Sequence, residues 1–231
     1  LYELFDKIKI LLYFTIDMCL IKFFFIILLY FNNILLTMPK YEPNIWNLDE
    51  NVKHSHNCYS YFLNLIDEKA FKQCKTRKQC STAQPGYYNG LSNKIYNYTR
   101  KKRSPSGFRY KCNNVLPRIK ADNPNIKFLG KTKNKCPKGY YQGAMATTSP
   151  KSWDKSDYHF YRKDTNTDTW SHKTGKQEVK NYDAKGNLIF DPLLAARKYA
   201  RNDYSEFCGY FCIPEKNEEK NMSSVNLIKK K

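Results

Sequence analysis

From Ser55 onward, apolar and polar positions fall into short periodic segments. Tyr59, Phe62, Leu63 and Ile66 recur at helical spacing behind Asn57, a good N-cap, and predict a helix from Cys58 to Ala70. Alternation then predicts strands at Tyr140–Thr148 and Asp157–Lys163. In the second, Tyr158, Phe160 and Arg162 share one face and His159 and Tyr161 the other. A polar turn at Asp164–Asp168 leads to a third strand, Thr169–Lys173. A short fourth is predicted over Gln177–Tyr182, followed by a turn at Asp183–Asn187. Pro192 behind Asp191 reads as the first position of a helix continuing through Leu193–Tyr199, and Phe207–Ile213 as a closing strand. Residues 75–135 carry several turn signals, among them Pro85-Gly86 and Asn123-Pro124, and read as a loop-rich insertion. The pattern is that of an α+β domain over 38–214, with a helix packed on a small antiparallel sheet and a charged, disordered tail over 215–231.

Residues 1–37 are set apart by their apolar character, broken by Asp17 and Lys22. A spanning helix wants about 20 mostly apolar residues, so this stretch is a marginal membrane anchor. The rival reading is sequence upstream of a true start at Met38. Contact with a membrane follows only from the first.

Charge and cysteines change the picture next. Lys and Arg number 40 against 21 Asp and Glu, a net charge of +19. Between Lys94 and Lys135 Asp122 is the lone acid, and Tyr and Phe are interleaved with the bases. The stretch from 94 to 135 is therefore a candidate contact for a polyanion, either nucleic acid or an anionic surface. Cys19 lies in the apolar N-terminal stretch. Cys74, Cys80, Cys112, Cys136, Cys208 and Cys212 permit three disulfides of unreadable connectivity, and reduced thiols are equally allowed. Sequons stand at Asn97 and Asn221.

Cys58 stands apart from those six. In the first turn of its helix, free backbone N–H groups favour a thiolate, and one of them can serve an oxyanion. The hairpin supplies a base. With its turn centred near 165–166, His159 faces residue 172 or 173, and the first register sets His159 beside His172 on one face. Cys58 is then the nucleophile, His159 the general base and His172 the group that orients it.

The segments Asn57-Cys58-Tyr59-Ser60-Tyr61, Asp157-Tyr158-His159-Phe160-Tyr161-Arg162 and Trp170-Ser171-His172-Lys173 resemble the Cys, His, His order of NlpC-type papain-like cysteine amidases and peptidases. Asn181–Pro192 and Phe207–Cys212 are similar to uncharacterised proteins of bacteria and giant DNA viruses. The resemblance spans about residues 55–214. It implies a papain-like fold, a peptide or acyl substrate, the roles above for Cys58, His159 and His172, no cofactor and no metal, and residence in a virion or host cell. The family's usual Asp-Cys-Ser-Gly motif is absent. The rival classes are a zinc site drawing on His54, His56, Cys58, Cys74 and Cys80, a basic nucleic-acid-binding module, and a structural viral protein without catalysis.

Overall fold

The computed structural model describes residues 38–78, 80–88, 110–149 and 156–215, together with Lys22 and Phe23. The chain divides into two units, Leu1–Met38 and Pro39–Lys231. The candidate anchor apart from Lys22 and Phe23, residues 94–109 of the basic stretch, both sequons and the tail beyond Glu215 lie outside the described residues. Among the described residues no helix is long and apolar enough to cross a membrane.

The second unit is α+β. Among the described residues, four helices, α1 (Pro43–Asn47), α2 (Glu50–Ser55), α3 (Cys58–Phe62) and α4 (Glu68–Arg77), precede α5 (Cys112–Asp122). Six strands follow: β1 (Lys127–Gly130), β2 (Tyr140–Thr147), β3 (Tyr158–Lys163), β4 (Trp170–Lys173), β5 (Val179–Lys180) and β6 (Glu206–Pro214). They form one sheet in the order β1-β6-β2-β3-β4-β5, and every neighbouring pair is antiparallel. The alternation along β3 sorts its side chains as the sequence pattern requires. Phe160 packs on Tyr59 and Phe62 of α3, and Arg162 lies over Tyr61. Tyr161 belongs to the opposite core with Ala144, Trp170, Tyr204 and Tyr210.

Helix α3 lies close on the sheet because Gly143 of β2 has no side chain. A Cβ there would stand 2.3 Å from Phe62 Cε2 and 2.6 Å from Ile213 Cδ1. Arg162 ties the same helix down from the other end. Its guanidinium donates to Asp164 Oδ1 (3.1 Å), Asn64 Oδ1 (2.8 Å), Tyr61 Oη (2.7 Å) and the Lys40 carbonyl (2.9 Å). Arg162 and Asp164 are both fully buried, so neither charge is shared with water.

Several expectations are corrected. The helix expected over 58–70 is two helices. Asn64 adopts a left-handed conformation (φ 49°), the Tyr141 hydroxyl caps the Phe62 carbonyl at 2.9 Å, and Asp67 starts α4 by accepting from the N–H groups of Lys69 and Ala70. The stretch read as a loop-rich insertion contributes α5 and the edge strand β1. Pro117 inside α5 hides a helix whose Val115, Arg118, Ile119 and Asp122 are buried at helical spacing. No helix follows Pro192. Arg197 takes the carbonyls of Pro192, Leu193 and Ala195, so a single turn is closed off by a side chain. Glu215, assigned to the tail, is buried, with its N–H on the Gly139 carbonyl at 2.9 Å.

Three disulfides fasten the later elements. Cys112–Cys208 joins α5 to β6, Cys136–Cys212 joins the β1–β2 connection to β6, and Cys74–Cys80 closes the end of α4. The first two span 96 and 76 residues. Loops of that size are each worth about 4–5 kcal/mol in the loop-closure account.

Replacing Arg162 by Leu strands the Asp164 carboxylate in the core. It is expected to cost about 3–5 kcal/mol in urea unfolding, and adding Asp164→Leu is expected to recover most of that loss. A double variant no more stable than Arg162→Leu alone would refute this account of the pair.

Candidate active site

Cys58 opens α3, and the cap is set by Asn57. Its Oδ1 accepts from the N–H groups of Tyr59 (3.0 Å) and Ser60 (3.2 Å), while its Nδ2 donates to the Ala83 carbonyl at 2.8 Å. The cap thus consumes two of the helix's free donors and leaves the N–H of Cys58 outside the ladder. Cys58 is the free thiol among the described cysteines and is 5% exposed. Burial, reinforced by the Asp157 carboxylate, pushes its pKa up to about 12. The N–H groups of Phe160 and of Cys58 itself, and the Lys173 ammonium, pull the other way. At rest the group is a thiol, not a thiolate.

His159 and His172 meet, although the hairpin turn is centred further along the chain than expected. Asp168 takes a left-handed conformation, and the Asp164 N–H closes the turn on the Thr169 carbonyl at 3.0 Å. The register is therefore Tyr161↔His172 rather than 159 opposite 172 or 173. Measured from the first of these expectations, the shift is two residues. Because side chains alternate with period two, it keeps both imidazoles on one face as diagonal neighbours. His159 Nε2 and His172 Nδ1 lie 2.8 Å apart, and His172 Nε2 lies 2.8 Å from the Tyr182 carbonyl.

That carbonyl decides both tautomers. It can only accept, so His172 carries its proton on Nε2 and its Nδ1 is an acceptor. Burial lowers the His172 pKa to about 4 and holds His159 well below the ordinary histidine range, with His172 adding to the effect, so both rings are neutral. His159 must then donate from Nε2, and its Nδ1 keeps a lone pair. Among the described residues this Nδ1 makes no hydrogen bond. The His159 ring is 1% exposed and stacks on Tyr204 (5.0 Å between centroids, 27°). The Tyr204 hydroxyl donates to Asp157 Oδ2 at 2.8 Å, as does Asn202 Nδ2 at 2.7 Å.

Of the three residues selected from sequence, the histidines form a bonded pair. Cys58 lies against β3 at the Phe160 N–H, on the α3 side of the strand, whereas His159 and His172 project from the other side with Tyr161 and Tyr204; Cys58 makes no hydrogen bond to either imidazole. A chain belonging with this site that the pattern did not reveal is Asp157–Tyr204. Tyr204 lies beyond the expected hairpin, in a stretch without periodicity.

Insoluble matrix shell protein 1 of Ruditapes philippinarum is 30% identical over 177 residues, which cover 75% of this chain and 89% of that protein. The chain belongs to the insoluble matrix shell protein 1 family. No family model matches the chain, and no solved structure does.

In this family member the zinc alternative fails on its own ligands. Both nitrogens of His56 are used: Nε2 accepts from the Asp67 N–H at 2.8 Å, and Nδ1 donates to the Val52 carbonyl at 2.9 Å. His56 is thus a buried staple between α2 and α4. His54 faces Glu50, and Cys74 and Cys80 are bonded to each other. Among the described residues no three metal-ligating side chains gather. Lys173 is a further buried charge. Its ammonium sits on the carbonyls of Lys53, Gly175 and Gln177 at 2.7–3.0 Å, and burial lowers its pKa to about 7.

The neutral histidine pair has a consequence for stability. The unfolded chain protonates His172 near pH 6.5, whereas the folded chain resists until about 4. Stability is therefore lost as pH falls through that window, by on the order of 3 kcal/mol from this group. Asp157 and Asp164, raised by burial, oppose the trend, so the comparison must be between variants. His172→Gln is expected to flatten the fall in urea-unfolding stability between about pH 7 and about pH 4.5, and an unchanged slope would contradict the assignment.

Proposed function

We propose that this domain is a cysteine-dependent acyl-transfer enzyme of the papain-like, NlpC-type kind, working in an oxidising compartment such as an extracellular matrix. The observation that carries the reading is the direction of the hydrogen bonds. Tyr182 carbonyl, His172 and His159 form a chain that leaves one unprotonated imidazole nitrogen, Nδ1 of His159, on the strand against which Cys58 packs. A general base needs that lone pair, and the partner at its far nitrogen holds the ring in orientation.

The reaction follows from those roles. Cys58 Sγ attacks the carbonyl carbon of an amide or ester while its proton passes to His159 Nδ1. The Cys58 N–H, left free by the Asn57 cap, receives part of the oxyanion charge. Collapse breaks the bond to the amine or alcohol, which leaves with the proton from Nδ1, and a thioester remains. Water then attacks the thioester, giving its proton to Nδ1, and the acid departs as Sγ is reprotonated. Because the resting thiol is held near a pKa of 12, proton transfer accompanies attack and no thiolate–imidazolium pair exists beforehand. His159 projects from the face of β3 opposite α3, so Cys58 Sγ reaches Nδ1 only through a shift of the start of α3 or of β3 when substrate enters. His172 orients His159 throughout, and the chemistry draws on no cofactor.

The oxidising compartment rests on the three disulfides, which reducing cytosol would open, and on the family's shell-matrix member. The same two observations favour a second reading, a non-catalytic building block of an insoluble matrix. The readings part at Cys58.

A peptidyl chloromethyl ketone is expected to alkylate Cys58 in the folded protein, with the adduct located by peptide mass mapping. His159→Ala is expected to slow the labelling by roughly a hundredfold, within the range of general base catalysis. Labelling that requires denaturant, or that is indifferent to His159, would favour the building-block reading.

A further inference from the structure

The connection between β5 and β6 turns large apolar side chains outward. Phe190 is 63% exposed and Leu194 83%, and Leu193 beside them is also open. Their backbone is fastened from several sides. Asp191 Oδ1 accepts from the Leu193 N–H at 3.0 Å and from the Tyr210 hydroxyl, and Asp183 Oδ2 accepts from the Ala196 N–H at 2.9 Å. Arg197 holds the carbonyls of Pro192, Leu193 and Ala195. Exposure at Phe190 and Leu194 is thus built into the fold.

Lys133 Nζ reaches the Phe190 carbonyl at 3.4 Å and Asp191 Oδ2 at 3.2 Å, which brings the β1–β2 connection against the apolar turn. That connection presents Lys131, Lys133 and Lys135, all exposed, and no acid stands between Asp122 and Asp154. The nearby carboxylates of Asp191 and Asp168 are engaged by Lys133 and Lys163. It is anchored in turn by the Cys136–Cys212 disulfide.

We propose that this face, with Phe190, Leu193 and Leu194 beside the connection that carries Lys131 and Lys135, docks on an anionic lipid surface. Apolar tips enter the boundary between headgroups and acyl chains, while the ammonium groups stay level with the phosphates and serine carboxylates. An acidic polymer would satisfy the lysines and leave Phe190 and Leu194 in water. A second copy through the same face would cover the apolar tips and set lysine against lysine. Lipid satisfies both halves at once. The inference is independent of any chemistry at Cys58.

The test is Phe190→Trp in the full chain, with the spectrum of the unsubstituted protein subtracted so that the new indole is read locally. With vesicles of equimolar phosphatidylcholine and phosphatidylserine, its emission is expected to shift to the blue and to be quenched by lipids brominated on their acyl chains. Adding Lys131→Glu and Lys135→Glu is expected to raise the lipid concentration for half-maximal shift by at least about tenfold. The proposal is overturned if the indole stays in water while the protein pellets with vesicles. It is overturned equally if the blue shift arises from heparin alone, or grows with protein concentration in the absence of lipid, the signatures of an acidic polymer and of a second copy.

Discussion

The arrangement of this domain hangs on the buried guanidinium of Arg162. It stands on β3, two residues beyond Phe160, and grips the Tyr61 hydroxyl and the Asn64 side chain at the far end of α3 while neutralising Asp164 at the start of the hairpin turn. A short helix of five residues has little stability of its own. What keeps α3 in place is its seating over Gly143 and its tether to Arg162. The helix therefore brings its first residue, Cys58, to the backbone of Phe160 in every folded molecule. The same arginine, through Asp164, fixes where the turn begins and hence the register that sets His159 and His172 side by side.

Much of this could be read from the residues, and the failures have physical causes. The alternation of β3 separates Tyr158, Phe160 and Arg162 from His159 and Tyr161 because one set packs on a helix and the other on the second core. That difference is written as period two. The break in the helix after Phe62 was not legible, because the apolar spacing continues through Ile66 while the decision rests on a tertiary cap from Tyr141 and a left-handed Asn64. Helix α5 was hidden by Pro117, a residue that costs a hydrogen bond but here sits in a helix pinned at Cys112 by a disulfide. The turn after Pro192 ends early because Arg197 reaches back to its carbonyls, a contact with no local signature.

The site shows the same division. The chain order Cys58, His159, His172 was visible, and the partnership of the two histidines survives a two-residue shift in register because parity, not exact opposition, decides the face. The tautomers were not visible. They depend on Tyr182, whose backbone carbonyl any residue type would supply. Nor was the state of Cys58. A helix start suggested an activated thiolate, but full burial and the Asp157 charge outweigh the donors available to it. Among the described cysteines, Cys58 is the one thiol kept apart from six bonded ones.

The central claim is that the backbone carbonyl of Tyr182 orders the protons of two buried imidazoles so that His159 keeps an unprotonated Nδ1. Nitrogen NMR of the protein labelled at its histidines reads this directly, since protonated and unprotonated ring nitrogens resonate far apart and the chain has four histidines. The account predicts that near neutral pH His159 and His172 both carry their proton on Nε2, that His56 carries its proton on Nδ1, and that His159 Nδ1 appears as a bare nitrogen. A proton on Nδ1 of His159, or two imidazolium rings, would contradict it.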